Sequence, residues 1–446
     1  MRTFYDVLLV LVTTLIMMRS LKIISNYKSK SLSDWTILLL YVFQSLPVLL
    51  DLVIGVPEYK EWYAGIRYAM ASDKTCIIYD IYVIVINIFL MLVSVRSQRK
   101  FYYEYDSEFM KSLDGIPNFL LYAMILLPAF HVLISGKISS FLTYASFDGR
   151  GLDSDFTTLN SSFIIIAIVA LIIWYFREKS SILRLLALLS FSFLIIWISG
   201  KRYTVVTILF SFLYVNTLEY RKSKRKVNLR ILFIIMGAAV LLYSAYYITS
   251  VKVTADSNFN SVYAALRIDF GRDDVVKFTI WEEYINNKHI LDYPLQSVIS
   301  TLFMIVPRSL FPGKGYPHYR YLTAALYNTD VLSIPAGMTP SILEMMISNF
   351  RLFGMPLCIL FLCWYCKKAD KSKSNLQHYC YAMVLEGMLT QSMDAMIILF
   401  YMVIFFMMTS KVRFITGKMK FKAKNVKFKL GGEVKFIIGN ENDRKE

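Results

Sequence analysis

Apolar runs of membrane-spanning length recur along this chain and constrain its fold more than any other feature of the sequence. Each run is close to the ~20 residues that an α-helix needs to cross a bilayer. Of the 446 residues, 56% are hydrophobic, which is unusually high for a water-soluble globular protein. We therefore predict an all-α polytopic integral membrane protein with about 11 transmembrane helices, within a range of 10–12. The runs are Phe4–Met18, Trp35–Val56, Cys76–Val95, Pro117–Ser135, Leu159–Phe176, Ile182–Ser199, Tyr203–Leu218, Ile231–Ser250, Ser341–Cys366, Leu376–Gln391 and Met393–Ser410.

The positive charge of the chain lies between these runs. Its formal net charge is +17, but the Lys and Arg residues form no soluble basic domain or nucleic-acid motif, so we expect no nucleic-acid partner. Gaps rich in Lys and Arg alternate with poorer ones, and cytoplasmic loops carry such an excess. The first run lacks a small-residue cleavage site and is predicted to stay as a helix. The pattern predicts an N-terminus outside and a cytoplasmic C-terminus.

Cysteine usage argues against a disulfide framework, because the five Cys residues are odd in number and three of them lie in apolar runs. The sequence Cys363-Trp-Tyr-Cys366, with His378 and Cys380 beyond it, contains ligand types of a zinc site. Two of these ligands would lie at the end of a membrane helix. We therefore expect reduced thiols and neither a metal nor a cofactor.

The predicted orientation divides the chain into four parts, of which the second is a large outer loop. Within this loop, Leu295–Val306 is apolar for about a dozen residues and ends at Pro307, a length that suits a re-entrant or interfacial helix better than a span. The parts are an eight-span N-terminal membrane domain (1–250), the outer loop (251–340), the C-terminal spans (341–410) and a basic cytoplasmic tail (411–446).

In the basic tail, Lys alternates with Phe, Val or Met over Lys418–Lys429. Alternation with a period of two is typical of a strand. A solvated basic tail that is attracted to anionic lipid is the simpler interpretation. The second interpretation places the tail at the cytoplasmic membrane surface.

Ionisable residues inside membrane spans are functional candidates, because they are costly there. In this chain they share one property, since all of them fall in the outer part of their spans. Helix ends next to water also tolerate acids, so each Asp taken alone has a structural explanation. The residues are Asp6, Asp51, Asp80, His131, Glu344, Glu386 and Asp394.

Two groups of residues are harder to explain structurally. The very tight outer turn Ser199-Gly-Lys-Arg-Tyr203 places Lys201 and Arg202 on the face that should be poor in positive charge. Such a pair costs roughly 1 kcal/mol or more of orientation energy unless something anionic meets it. Two side chains that reach toward lipid headgroups would be the structural alternative.

The second group begins the first span after the outer loop. Ser341 or Thr339 near the N-cap, with Glu344 in the first turn, predicts a helix start. Spacings of three and four place Glu344 and Arg351 on one helix face, where an acid and a cation can meet. A helix-start acid explains Glu344, but it leaves Asn349 and Arg351 unexplained.

Together, Ile198-Ser-Gly-Lys-Arg202, the large outer loop, and Ser341-x-x-Glu344 with Asn349-Phe350 and Gly354 resemble the O-antigen and capsular polysaccharide repeat-unit polymerases of the Wzy type. The resemblance covers nearly the whole chain and admits a GT-C-like architecture. The family commonly has Asn-Phe-Gly where this chain has Arg351 as the third residue. The resemblance implies a multi-pass protein of the bacterial inner membrane that works on O-antigen of lipopolysaccharide or on capsule.

The resemblance implies transfer of a growing glycan from undecaprenyl pyrophosphate onto a new lipid-linked repeat unit. Arg suits the released pyrophosphate, because it is always charged and binds phosphate oxygens bidentately. No acidic cluster suggests a metal site, so cations would replace Mg²⁺. A chain-length regulator and a flippase are expected partners. The catalytic candidates are Glu344, Arg202, Arg308 and His318, of which Glu344 or His318 would accept the acceptor's proton.

Other residues would bind substrate, either through charge or through the apolar faces of aromatic rings against sugars. Trp and Tyr belts also form at any membrane interface, which is the structural explanation for each ring taken alone. The substrate-binding candidates are Lys201, Arg267, Arg272, Lys314, Arg320, Asn349, Arg351 and Tyr319, with Trp281, Tyr284, Tyr316 and Tyr321 as further aromatics.

Three other functions remain open at this point. A ligase that moves finished glycan from the same carrier would use the same Arg chemistry. A flippase or transporter needs charged or broken elements near the membrane midplane and often two similar halves, neither of which is clear here. A scaffold that binds polymer without turnover would tolerate changes at Arg202 and Glu344.

Overall fold

Helices make up most of the described structure, in agreement with the predicted fold class, and short strands occur beyond residue 408. The computed structural model describes residues 1–25, 31–59, 63–100, 117–142, 150, 152, 154–177, 181–201, 203–223, 263–264, 267–268, 270–304, 306, 308–334, 337–372, 375–408, 420–423, 426–429 and 437–438.

The N-terminal half contains nine α-helices in its described part. A π-helix, Tyr41–Ser45, joins the second to the third, and Pro47, which lacks a backbone N–H, lies at the start of the third. A 3₁₀-helix, Ile138–Phe141, follows the sixth. The helices are α1 (Arg2–Ser25), α2 (Leu32–Leu40), α3 (Leu46–Val53), α4 (Ala64–Ala71), α5 (Asp73–Lys100), α6 (Asn118–Ile134), α7 (Ser154–Arg177), α8 (Ile182–Ser199) and α9 (Tyr203–Ser223).

The described part of the C-terminal half contains shorter helices, several of which are extended by a π- or 3₁₀-turn. Those turns are Trp281–Ile285, Val331–Ser333, Arg351–Phe353 and Met393–Met396. The helices are α10 (Asp273–Ile280), α11 (Gln296–Leu302), α12 (His318–Tyr327), α13 (Ile342–Phe350), α14 (Gly354–Asp370), α15 (Asn375–Thr390) and α16 (Ile397–Met408).

Six described helical segments are long and apolar enough to cross a membrane. Two shorter apolar helices, Asn118–Ile134 and Tyr203–Thr217, coincide with further predicted spans. The predicted spans near α15 and α16 are helical but shorter, and Ile231–Ser250 lies outside the described residues. The six segments are Arg2–Ser25, Leu32–Val53, Asp73–Ser97, Leu159–Arg177, Ile182–Ser199 and Ile342–Asp370.

Successive long helices cross in alternating directions, as the predicted topology requires. At one face, Asp370 at the end of α14 accepts hydrogen bonds from the backbone of Leu32 (2.8 Å) and from Ser97 Oγ (2.7 Å). The start of α2 and the end of α5 therefore lie together there. At the opposite face, Arg2 of α1 donates to the carbonyl of Met70, just before α5 begins (2.8 Å).

Residues 251–340, called the central segment from here on, share a small hydrophobic core with α4, separate from the core of the long helices. Residues of α4, α10 and α12 supply it, with Ile66, Phe278 and Leu322 nearly or completely buried. The predicted re-entrant element is α11, which is helical over seven residues. At about 1.5 Å of rise per residue, that length is too short to cross a bilayer.

The tail carries three short strands in its described part. Strand β1 (Lys420–Ala423) pairs antiparallel with β2 (Val426–Lys429), which pairs with β3 (Ile437–Ile438). The alternating Lys and apolar residues of the tail thus lie opposite each other in a hairpin, with Lys420 paired to Lys429 and Phe421 to Phe428.

Candidate functional site

Helix α10 carries the polar interior of the molecule. It packs against α4, α5 and α13, and each of its eight residues is buried, including Asp273, Asp274 and Lys277. Charged side chains remain this deeply buried only when they are paired. The sequence places Asp273 and Lys277 four residues apart, on one face of the helix.

An ion-pair network of Arg267, Asp51, Asp273 and Lys277 satisfies these charges. Arg267 binds Asp51 at the end of α3 through two nitrogens, Nε to Oδ1 at 2.8 Å and Nη2 to Oδ2 at 2.7 Å. Its Nη2 also donates to Asp273 (2.7 Å), which in turn accepts from Lys277 Nζ (2.9 Å). The network therefore ties the central segment to a membrane helix.

The electrostatics of this network follow from burial and charge pairing. Burial alone would raise the pKa of Asp273, but Arg267 and Lys277 together hold that pKa below its ordinary value. Burial and the neighbouring Asp273 carboxylate raise the pKa of Asp274 to about 7. Asp274 accepts a hydrogen bond from the Tyr59 hydroxyl (3.3 Å), so one acid of the pair is ion-paired and the other titrates near neutrality.

Gly271 is required by the same network. A Cβ at this position would contact Arg267 Nη1 and lie 2.7 Å from the Arg267 carbonyl oxygen. The backbone N–H of Gly271 donates to that carbonyl (2.9 Å). The bend that brings Arg267 back onto Asp273 therefore has no room for a side chain.

Glu344 lies at the start of α13, as predicted, and closes a capping box with Ser341. Its Oε2 accepts from the backbone N–H of Ser341 (2.9 Å) and from the Ser341 hydroxyl. Its Oε1 has no hydrogen-bond partner among the described residues, and the side chain is completely buried. The capping role thus leaves one carboxylate oxygen unused.

Asn349 and Arg351 occupy the end of α13. Asn349 Nδ2 donates to Ser297 Oγ of α11 (2.6 Å) and to the Met345 carbonyl (2.6 Å), and Asn349 is completely buried. Arg351 has φ +49° and ψ −124°, a conformation that favours glycine. Arg351 is the residue at which the sequence departs from the Asn-Phe-Gly pattern noted above, so that departure coincides with backbone strain in this chain.

Two further contacts fix this corner. Tyr284 Oη donates to the Arg351 carbonyl (2.7 Å), and burial raises the pKa of Tyr284 well above its ordinary value. A Cβ on Gly354 would lie 2.5 Å from Ile347 Cα and from the Met346 carbonyl oxygen. The chain can therefore turn from α13 into α14 only with glycine at this position.

A cation cluster consists of Arg308, Lys314 and Arg320, and two of these residues, Arg308 and Arg320, lie over the ring of Tyr316. The guanidinium carbons of Arg308 and Arg320 lie 3.9 and 5.2 Å from the ring centroid. Arg308 also donates to the carbonyls of Lys314 (2.8 Å) and Gly315 (3.1 Å). Within the part of the chain that the structure describes, none of the three cations forms a salt bridge, and Arg308 is exposed.

Lys314 has a structural role inside this cluster. Its Nζ donates to the carbonyls of Val306 (2.8 Å) and Met304 (3.2 Å), just beyond the C-terminal end of α11. Burial, and to a smaller degree the neighbouring Arg308, lowers the pKa of Lys314. Arg308 and Arg320 are therefore the better placed of the three to bind an anion.

Helix α11 connects the cation cluster to α13. Ser297 accepts from Asn349, and Ser300 donates to the Gly315 carbonyl (2.9 Å). These two serines lie three residues apart on one helix face, where Cβ atoms are about 5–6 Å apart. The structure thus brings Asn349 and the segment Arg308–Arg320 to the same short helix.

His318 and its aromatic neighbours support this arrangement from α12. His318 is almost completely buried, and neither ring nitrogen has a hydrogen-bond partner among the described residues. Burial lowers the pKa of His318 to about 3, which makes it a poor base at neutral pH. Tyr321 Oη instead links two elements, since it accepts from Gln296 Nε2 (2.9 Å) and from the Tyr316 backbone N–H (3.0 Å).

The remaining predicted residues are distributed around this site. Tyr319 accepts from Arg320 Nε (3.4 Å), and Arg272 lies at the N-cap of α10, where its backbone N–H donates to Phe43 (3.0 Å). Lys201 follows Gly200, which ends α8 with φ +59°. Arg202 lies outside the described residues.

Several residues that matter here were absent from the predicted site. Asp273 and Lys277 could have been found, because an acid and a base four residues apart in a polar aromatic segment predict an ion pair. Asp51 was predicted only as an isolated acid. Arg150 gave no signal, although it donates to the carbonyls of Trp197 and Ile198 at the end of α8, both at 2.8 Å. Arg267, predicted as a ligand of substrate, forms salt bridges with Asp51 and Asp273 inside the network.

The Cys, His, Asp and Glu side chains of the described residues are not grouped as metal ligands would be. The five cysteines are all buried and free, and the described residues contain no group of three or more His, Cys, Asp or Glu that could hold a metal ion.

The helices and their polar interior define an α-helical, membrane-embedded protein. Comparison with known proteins adds no further assignment, because no protein family, curated protein or solved structure matches the chain.

Proposed function

We propose that the protein is a membrane glycosyltransferase that polymerises undecaprenyl-pyrophosphate-linked oligosaccharide repeat units into O-antigen or capsular polysaccharide. In this proposal the growing chain is transferred to a new repeat unit at the outer face of a bacterial inner membrane. The N-terminus is outside and the C-terminus cytoplasmic, as the distribution of Lys and Arg predicts. The reaction uses no metal cofactor.

The observation that carries this proposal is the cation cluster. Arg308 and Arg320 share the ring of Tyr316, and no described carboxylate neutralises them. A guanidinium retains its charge at any physiological pH and binds phosphate oxygens through several N–H groups. Two such groups around one aromatic ring, one from a loop and one from the first turn of α12, favour an anionic ligand of more than one charge. A lipid pyrophosphate has that charge and would lie at this membrane face.

The chemistry requires charge stabilisation more than covalent assistance from the protein. An acceptor hydroxyl oxygen forms a bond to the anomeric carbon of the donor, while the bond from that carbon to the pyrophosphate oxygen breaks. The electron pair leaves on the pyrophosphate, where Arg308 and Arg320 stabilise the new charge. The acceptor proton moves to Glu344 Oε1, the oxygen that the capping box leaves without a partner.

The short connection through α11 supports a single site for both steps. Asn349, five residues beyond Glu344, and the Arg308–Arg320 segment both contact this helix. Arg202 and Lys201 would add positive charge from the turn after α8. His318 is less suited to the role of base than Glu344, because its buried ring favours the neutral form down to low pH.

The test is the length distribution of surface glycan in cells that carry Arg308→Ala with Arg320→Ala, or Glu344→Gln. Glu344→Gln keeps an acceptor for the capping hydrogen bonds while removing the basic oxygen. We expect the glycan ladder to collapse to a single repeat unit at unchanged protein level in the membrane. The matched control is Lys288→Ala, an exposed cation of the same segment, which should leave the ladder intact.

Two other results would assign a different function to the protein. Loss of all surface glycan with accumulation of finished polymer on its lipid carrier would identify a ligase. Loss of all surface glycan with repeat units retained on the cytoplasmic side would identify a flippase or transporter. An unchanged ladder in all variants would remove both the cation cluster and Glu344 from the reaction.

A further inference from the structure

A histidine–carboxylate pair lies in the central segment, where the π-turn Trp281–Ile285 passes into the loop that leads to α11. His289 Nδ1 lies 2.9 Å from Glu283 Oε2. The other oxygen of Glu283, Oε1, accepts a hydrogen bond from the backbone N–H of Ile290 (2.9 Å). Both oxygens of this carboxylate are therefore occupied by the loop that follows the π-turn.

A backbone turn brings His289 back to Glu283. The N–H of Lys288 donates to the carbonyl of Glu282 (2.9 Å), which closes the loop on the π-turn. Asn287 has φ +53°, in the left-handed region that Asn adopts more readily than most residues. The local backbone thus fixes the position of the pair.

The two members of the pair differ in exposure, and this difference decides what each can do. The Glu283 side chain is completely buried, whereas that of His289 is 37% exposed. An ionised carboxylate only accepts hydrogen bonds, so the His289 Nδ1–H donates to it. In the neutral ring Nε2 then has a lone pair and no proton. Nε2 has no hydrogen-bond partner among the described residues.

An acceptor of this kind selects among ligands by their charge. A lone pair on Nε2 takes an O–H or N–H donor, whereas an anion would meet both that lone pair and the negative charge of Glu283 behind the ring. The cation cluster has the opposite preference, because it presents positive charge. The pair therefore suits an uncharged ligand with hydroxyl groups, and sugars are ligands of this class.

The same π-turn also carries an aromatic surface. Trp281, its first residue, stacks on the ring of Tyr68 with the centroids 5.9 Å apart and an angle of 28° between the planes. Tyr68 is 54% exposed. Aromatic side chains with one open face offer large apolar surfaces beside polar groups, which is a combination that suits the apolar and hydroxyl-bearing faces of a sugar ring.

Hydrogen bonds connect the loop of the pair to the cation cluster. Asp292 is three residues after His289, a separation of at most about 11 Å, and its backbone N–H donates to Gln296 Oε1 (3.0 Å). Gln296 Nε2 donates to Tyr321 Oη (2.9 Å), which also accepts from the backbone N–H of Tyr316 (3.0 Å). The ring of Tyr316 is the one that the cation cluster shares, so the pair and the cluster belong to one connected element.

We propose that His289, oriented by Glu283, forms a subsite that accepts a hydrogen bond from a sugar hydroxyl of the oligosaccharide repeat unit. This subsite rests on the proposed function, which supplies the sugar. The cation cluster binds the pyrophosphate, and His289 binds an uncharged part of the same substrate. His289 positions the glycan, while the proton of the reacting hydroxyl still moves to Glu344.

Binding of free oligosaccharide to the purified protein tests the subsite. The probe is the oligosaccharide that mild acid releases from the cell's own lipid-linked repeat units, which carries no pyrophosphate and therefore does not require the cation cluster. His289→Asn keeps an N–H donor for Glu283 but removes Nε2. By titration calorimetry its affinity should fall about fivefold, the loss typical of one hydrogen bond. The matched control Lys288→Ala, an exposed neighbour, should bind like wild type.

A second measurement follows the imidazole directly. The chain contains four His residues, so ¹⁵N NMR of labelled histidine is simple, and the resonances of His289 are those missing from His289→Asn. At pH 8 we expect its proton on Nδ1 and not on Nε2. Addition of the oligosaccharide should shift the Nε2 resonance, and addition of inorganic pyrophosphate should not.

Several results would overturn the subsite. Wild-type protein that binds no oligosaccharide, or binds it without a shift of any imidazole Nε2 resonance, overturns it without the need for a variant to fold. Equal affinities in wild type and His289→Asn, or an equal loss in Lys288→Ala, also overturn it. A shift caused by pyrophosphate in place of the oligosaccharide would identify an anion site.

Failure of the subsite can be distinguished from failure of the proposed function. If the glycan ladder collapses in the cation-cluster variants but wild type binds no free oligosaccharide, the subsite is wrong and the polymerase remains. If the oligosaccharide binds through His289 but the ladder is unchanged in those variants, the subsite remains as a sugar-binding site and the polymerase is wrong.

Discussion

The two charged groups of the central segment differ in how their cations are neutralised. In the ion-pair network, Arg267 and Lys277 are buried, and each lies within 2.9 Å of a carboxylate oxygen. In the cation cluster, Arg308 and Arg320 have an aromatic ring between them and no carboxylate among the described residues. The cations of the two groups are of the same residue types and lie within sixty residues of one another, from Arg267 to Arg320.

The difference teaches how position decides the role of an arginine. Buried cations with matched carboxylates hold elements together, because separating them would leave an uncompensated charge in the interior. Cations that share only an aromatic face contribute little to stability and remain available to an anion from outside. We therefore expect changes in the network to affect folding and changes in the cluster to affect binding.

The largest effect is expected from Asp273→Asn. This change leaves Arg267 and Lys277 buried with only Asp51 as an ionised partner in direct contact. Breaking a buried pair in this way typically costs about 3–5 kcal/mol. The thermal unfolding midpoint of the detergent-purified protein should therefore fall strongly, and the yield of folded protein should fall with it.

Asp292→Asn is the matched control for that experiment, because Asp292 is an exposed acid of the same segment. Its midpoint should stay close to that of the wild type, since surface substitutions usually change stability by less than about 0.5 kcal/mol. If the two variants shifted the midpoint equally, the network would have no special part in holding α10, and the comparison between the two groups would fail.

The next effect is expected in binding and not in stability. Arg308→Ala with Arg320→Ala should weaken the affinity for inorganic pyrophosphate by about 150-fold or more, because each of the two lost charge-assisted contacts is worth roughly 1.5–3 kcal/mol. The free energy of unfolding should fall by only about 1 kcal/mol, because the Arg308 hydrogen bonds are lost. Titration calorimetry on the purified protein measures the first quantity and thermal unfolding the second.

Arg308→Lys sharpens this test, because it keeps the charge but removes the planar group that stacks on Tyr316. We expect it to recover only part of the affinity. Lys288→Ala serves as the control for total charge. Equal losses in Lys288→Ala and in the double variant would mean that pyrophosphate responds to net charge alone, and that the cluster is not a specific site.

A further, pH-dependent effect is expected at Asp274. Its pKa is raised to about 7 in the folded protein, so between its ordinary pKa and pH 7 the folded state binds more protons than the unfolded state. Stability must then fall as pH rises through this range, by roughly 4 kcal/mol from this residue. Asp274→Asn should remove that slope and be more stable than wild type at pH 8, with little difference at pH 4.

The same midpoint measurements separate this group from His318, which acts in the opposite direction. Burial lowers the pKa of His318 to about 3, so its contribution is present above its ordinary pKa and is lost as pH falls through about 3. The two slopes overlap and oppose each other in wild type, so His318→Leu should remove the rise and leave the fall in stability due to Asp274 between about pH 4 and 7. A His318→Leu profile without that fall would contradict the assignment at Asp274.

The fold could be predicted from the sequence where the bilayer or the spacing of neighbouring residues determines the structure. Apolar length and the distribution of Lys and Arg predicted the long helices and their alternation, because the bilayer imposes both. The central segment was less predictable. Its helix α10 is so polar that the sequence alone does not predict its burial. That burial depends on residues more than 200 positions away, such as Asp51, which pairs with Arg267.

The site could be predicted in part. Glu344 at a capping box followed from local spacing, and the structure places it as expected. Arg267 and Arg308 could not be told apart, because the sequence shows that both are arginines but not which carboxylates fold against them. Arg351 lies between these cases, since local sequence predicts a helix end there but not its conformation.

The smallest effect is expected at Arg351. It shows whether this residue behaves like the ion-pair network, which stabilises the fold, or like the cation cluster, which is proposed to bind an anion. Its φ of +49° and ψ of −124° strain any residue with a side chain. Arg351→Gly should therefore raise the free energy of unfolding by about 1 kcal/mol, whereas Arg351→Ala should bring no gain, because alanine keeps the Cβ. Thermal unfolding of the two variants measures this difference.

Glycan length in cells then assigns the side chain. Arg351 forms no salt bridge among the described residues and is only partly buried, so it shares the properties of the cation cluster. If Arg351→Gly is more stable but makes shorter glycan, the strained arginine serves binding at the expense of stability. If Arg351→Gly is more stable and makes glycan of normal length, the strain has no functional role at this position. A less stable Arg351→Gly would show that the arginine side chain holds the corner between α13 and α14, as the buried network holds α10.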